Sequence, residues 1–73
     1  SFAIYWILRA DLPDQGPALA REVNALFERF PHAFDNADEF RKLKAEMYRV
    51  LLPLVSGHRM VDLTDEILRL PRP

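Results

Sequence analysis

Residues 36–55 read NADEFRKLKAEMYRVLLPLV, and the spacing of their apolar members decides the fold. Phe40, Leu43, Met47, Leu51 and Leu54 recur at steps of three and four, which places them on one face of a helix. Arg41, Lys42, Ala45 and Arg49 fall on the other side, with Asp38 four residues before Lys42. Asn36 offers a side-chain oxygen to a free backbone N–H, and Glu39 is placed to reach back to the amide of Asn36. Asp38 and Glu39 also put negative charge where the helix dipole favours it. Pro53 has no N–H for the carbonyl of Arg49, so the helix kinks there or stops near Leu52. A helix of this length cannot bury its stripe alone, so the rest of the chain must cover it.

Downstream, Ser56 and Gly57 break the chain, and Ser56 can cap a further helix from about His58 to Leu70. Met60, Val61, Thr64, Ile67 and Leu68 form its inner face, widened by Leu63 and Leu70. Asp65 precedes Arg69 by four residues, a favourable order for a helical ion pair. Pro71 and Pro73 stop this helix and leave a tail. Upstream, residues 31–35 (PHAFD) make a short connection, and Phe34 and Phe40 flank the Asn36 cap as a staple one residue out of the usual register. Before it lies a helix that begins near Gln15 to Pro17, with Asp14 or Gly16 as cap, and ends at Pro31. Its stripe is Leu19, Val23, Leu26, Phe27 and Phe30; Arg21, Glu22, Asn24, Glu28 and Arg29 face water.

The chain opens with FAIYWILRA, residues 2–10, followed by a turn, DLPDQG, at residues 11–16. The opening run has almost no polar side. Its β-branched and aromatic content suits a strand, but no second strand candidate exists to pair with it, so a helix is expected. A helix apolar all round sits at the centre of the bundle or presents one face to a partner. The fold class is therefore all-α, a compact bundle of about four helices with short loops, forming a single domain over residues 1–73.

Composition narrows function. The chain has 73 residues, no cysteine and a formal net charge of -1. No disulfide framework or thiolate metal site is available. The charge balance argues against an autonomous DNA-binding module, although local phosphate contacts remain open. No apolar run is long enough to cross a membrane, and the apolar start lacks the basic flank and cleavage site of a signal peptide. A cytoplasmic location is expected. The chain starts without methionine, directly in an apolar stretch, and reads as an excised piece of a longer protein with Ser1 left from a cleaved tag.

Three classes of function can be weighed. Catalysis has little to stand on. His32 and His58 lie near helix ends outside any metal motif, where capping or surface roles are the ordinary reading. Asp62, Asp65 and Glu66 read as a solvated face, and neither glycine belongs to a phosphate-binding loop. No nucleophile sits beside a base, so no catalytic residue, metal or cofactor is expected in these residues. For nucleic acid, Arg41, Lys42, Lys44 and Arg49 give one helix a basic side. Asp38 and Glu46 are spaced to neutralise it, so a paired, solvated face is the default over a phosphate-contacting strip. For protein contact, Tyr5, Trp6 and Arg9 fall together in the opening helix and are the residue types commonest as interface anchors. The competing reading is that Trp6 closes the core.

The wording of ALFERFPHAFDNADEFRKLKAEMYRVLLPLVSGHRMVDLTDEILRL resembles the C-terminal helical region of the R subunits of type I restriction–modification enzymes. The residues that carry the likeness are Phe30-Pro31, the run from Arg41 to Tyr48, Leu51 to Val55, and Arg59 to Leu63. The opening FAIYWILR also resembles the apolar helix before that region. Where relatives have a Gly-Lys-Glu-Arg-like turn, this chain has Ser56, Gly57, His58 and Arg59. The motifs are packing patterns without catalytic signatures. The resemblance implies a parent that is an ATP- and magnesium-dependent DNA translocase and endonuclease. It implies partners too: methyltransferase and specificity subunits, the rest of the R subunit, and DNA through the assembled complex. For this chain it implies a non-catalytic assembly module; the alternative is a DNA-phosphate-contacting module.

Overall fold

The computed structural model describes residues 2–71; Ser1, Arg72 and Pro73, with the tag and tail readings placed on them, lie outside the described residues. Four helices follow in order: α1, Phe2–Asp11; α2, Gly16–Arg29; α3, Ala37–Leu51; and α4, Gly57–Leu68. Among the described residues there is no strand, so the expected all-α bundle is the observed architecture. Each helix packs on its neighbour in the chain, and α1 also packs on α4, which closes a ring of four. The Cα radius of gyration, 11.4 Å, is what a compact chain of this length gives.

Local chemistry sets the helix boundaries. Asn36, in an extended conformation, accepts a hydrogen bond from the Glu39 N–H at 3.0 Å and starts α3. The reciprocal half of the box is not made. The Glu39 carboxylate instead accepts from the His32 N–H at 2.9 Å, an amide left without a helical partner once α2 has ended. Ser56 caps α4 by accepting from the Arg59 N–H at 3.1 Å. At α2 the cap position is Gln15, without a side-chain bond, and neither Asp14 nor Gly16 takes the role. The reason is the turn before it. The Gly16 N–H already bonds the Leu12 carbonyl at 2.6 Å and Gln15 is itself helical, so no extended residue stands where a cap would.

Pro53 ends α3. The last regular bond is Leu52 N–H to the Tyr48 carbonyl at 2.9 Å, after which Leu54 and Val55 both donate to Leu51. Leaving the helix there takes Leu54 off the stripe it was expected to join. It is 38% exposed, and the half-buried Val55 packs on the core instead. Two expectations about α4 also change. Leu63, Thr64 and Ile67 form its fully buried centre, while Val61 turns outward, because at about 100° per residue it lies well around the helix from Leu63 and Ile67. The helix ends at Leu68, and Asp65 and Arg69 are joined through the main chain rather than as an ion pair.

The core is built from Ile4 and Leu8, Leu19, Ala20, Val23 and Leu26, Leu43, Met47, Leu51, Leu63 and Ile67, with Ala33 under the connection. Phe34 bridges Phe27 and Phe40, with ring centroids 6.2 Å and 5.8 Å away, so the staple forms and ties α2 to α3. Gly16 is a close crossing. A Cβ on it would lie 2.8 Å from the Arg9 Cα and 2.9 Å from the Arg9 nitrogen, so α1 passes against bare backbone. In α4, the buried Thr64 Oγ1 has no hydrogen-bond partner.

Candidate docking surface

The opening run forms a helix because a single segment satisfies its own amides that way, and the pattern of bonds continues past it, with Leu12 N–H reaching the Leu8 carbonyl at 2.8 Å. Ile4 and Leu8, one turn apart, fill the inward side and are essentially without exposure. At roughly 100° per residue, Trp6 stands about 200° around the helix from Ile4 and is turned outward. It is 57% exposed and Phe2, one turn before it, is 85% exposed. Trp6 therefore does not close the core; Ile4 and Leu8 do.

Tyr5, Trp6 and Arg9 are brought together. The Tyr5 and Trp6 rings meet edge to face, 74° apart with centroids at 5.2 Å, and the Arg9 guanidinium lies 5.2 Å from the Trp6 centroid. The exposed positions of this face are Phe2, Ala3, Trp6, Arg9 and Ala10, so its only charge is Arg9. Beside it, Phe2, Tyr5, Pro17, Ala20, Arg21 and Asn24 line an open depression of about 330 Å³ between α1 and α2. Phe2 and Arg21 were not singled out from the sequence. For Phe2 the signal existed, in its position one turn before Trp6.

The basic set of α3 is arranged differently. Arg41 is ion-paired with Asp38, the partner expected for Lys42. Arg49 donates to Glu46 from Nε at 3.2 Å and from NH2 at 3.0 Å, and Arg29 of α2 approaches the same carboxylate at 3.4 Å. The hydrogen bonds from Arg49 hold the Glu46 carboxyl below its ordinary value, with Arg29 adding to the effect, and they raise Arg49 in turn. Lys42 stays exposed beside a depression shared with Arg29 and Glu39. Lys44 lies elsewhere on the helix, its ammonium 5.9 Å from the Tyr48 centroid. The four residues thus do not converge on one strip.

Sequence reasoning missed one tie entirely. Arg59, near the start of α4, grips both oxygens of Asp11 at the end of α1, with NH2 to Oδ1 at 2.8 Å. These bonds hold the Asp11 carboxyl below its ordinary value and raise Arg59. With the partners 48 positions apart in the chain, no local spacing could have shown it. His58 Nε2 stands 3.7 Å from Asp62 on the exposed side of α4, and His32 is exposed at the α2–α3 connection. Among the described residues, no three His, Asp or Glu side chains gather as metal ligands, and no helix is long and apolar enough to cross a membrane. No family model, curated protein or solved structure matches this chain.

Proposed function

We propose that this chain is a non-catalytic assembly module, the C-terminal helical part of a type I restriction R subunit, and that α1 docks it. The partner is the methyltransferase core or the motor domains of the same subunit. The parent would supply ATP-dependent translocation and DNA cleavage, and this module would supply attachment. The observation that carries the reading is the outward Trp6, exposed although α1 already fills its share of the core with Ile4 and Leu8. Large aromatics held on a rigid helix beside an arginine are the composition of an interface anchor. The resemblance quoted above supplies the family. The phosphate-contacting alternative is weaker, because Arg41 and Arg49 are already bound to carboxylates and Lys44 points away from Lys42 in helical register.

The test uses the full R subunit, with and without this region, and with Trp6→Ala, in a pull-down against the methyltransferase core. Loss of assembly on deletion and on Trp6→Ala, with helicity intact, is expected. Unchanged assembly with weakened DNA affinity would favour the phosphate reading instead.

A further inference from the structure

We propose that the α1–α2 surface receives an acidic amphipathic segment of a partner protein, its apolar side chains over Phe2, Tyr5 and Trp6 and its carboxylates at Arg9 and Arg21. The inference rests on the docking reading above and adds the chemistry of the occupant. Charge is the first argument. The chain as a whole is slightly acidic, yet the outward face of α1 and the depression beside it carry Arg9 and Arg21 and no carboxylate. Neither arginine takes part in an ion pair among the described residues. Asp11, the acid nearest Arg9 in the chain, is turned to Arg59. The Arg9 guanidinium also lies over the Trp6 ring, so a carboxylate meeting it stands directly beside the apolar patch.

Charge decides against a second copy of this chain. Self-pairing through this face would set arginines against arginines with no acid between them. An acidic partner reaching across α1 into the depression meets both arginines. Nucleic acid fits less well. The Arg9 guanidinium lies over the Trp6 ring, so a base stacking on that face would have to displace it.

Trp6 is the only tryptophan, so its fluorescence reports on this surface alone. The 73-residue chain is titrated at low salt with two synthetic helical peptides that share one leucine face, flanked by Glu in one and by Lys in the other. An oligothymidylate forms a third arm. Two exposed charge pairs, each worth roughly threefold, predict about tenfold tighter binding of the Glu peptide, a gap that narrows as salt rises. The double variant Arg9→Gln/Arg21→Gln closes the gap, and Arg9→Glu/Arg21→Glu reverses it, with far-UV circular dichroism unchanged. Equal binding of the two peptides, no saturable binding of either, or tighter binding of the oligothymidylate overturns the proposal. The docking reading is judged separately, by deletion from the full subunit.

Discussion

Replacing Gly16 with alanine adds one methyl group where α2 lies against the backbone of α1. The new Cβ would meet the Arg9 Cα at 2.8 Å and the Arg9 nitrogen at 2.9 Å, where carbon atoms otherwise rest about 3.5–4.0 Å apart. Both neighbours are main-chain atoms of α1, so no rotamer change relieves the overlap. The helices must separate by up to about 1 Å, loosening Ile4 and Leu8 against Leu19, Ala20 and Val23. Overpacking of this kind costs about 1–3 kcal/mol, and the loss of glycine's freedom in the unfolded chain returns about 0.4–1 kcal/mol. The net loss is about 1–2 kcal/mol. At about 4–8 °C per kcal/mol for a domain of this size, the thermal midpoint should fall by roughly 4–16 °C. Gly57 is the internal control, since a Cβ there meets nothing within 4 Å. Gly57→Ala should leave the midpoint unchanged or raise it. Thermal and urea unfolding followed by circular dichroism measure both. If Gly16→Ala melts at or above Gly57→Ala, the close-crossing account of the α1–α2 contact is wrong.

Thr64→Val keeps the shape of the side chain and removes a buried hydroxyl that has no partner, so it should stabilise by about 1 kcal/mol and raise the midpoint; a lowered midpoint would show that the hydroxyl is satisfied in solution. Asn36→Ala removes the side-chain acceptor for the Glu39 amide and should cost about 1 kcal/mol in urea unfolding, with Ser56→Ala costing a similar amount at α4. Asp11→Asn tests the tie between α1 and α4. Hydrogen bonds from Arg59 lower the folded carboxyl below its ordinary value of 3.8, so the pair stabilises the fold above about that pH. That contribution fades as the pH falls through the lower folded value. The variant should be weaker than the parent by about 0.2–1 kcal/mol at neutral pH, allowing for solvent screening, and the difference should vanish in strong acid. Leu8→Ala should cost about 2–5 kcal/mol while Trp6→Ala costs far less, and the reverse order in thermal melts would return Trp6 to the core.

Much of the fold is readable from short-range pattern. Asn36 and Ser56 announce their caps, Pro31 and Pro53 announce their stops, and Phe34 meets Phe40 across the cap. What escaped reading depends on contacts between distant segments. Gly16 looks like a turn residue until α1 is seen to lie on it, and Asp11 looks like part of a loop until Arg59 reaches it. Glu39 had two amides within reach, and only the path of residues 31–35 decided for His32. The candidate surface was half legible. The cluster of Tyr5, Trp6 and Arg9 follows from adjacent positions in one helix, but whether Trp6 faced the core or water depended on which side of an almost uniformly apolar helix the ring of helices would claim. Arg21 entered only through the packing of α2 beside it.

The closure of the ring has a topological consequence. Each helix packs on two others, and Asp11 clasps Arg59 where the chain itself makes no connection, so a nick in any one connecting loop leaves both fragments still bound to one another at two seams.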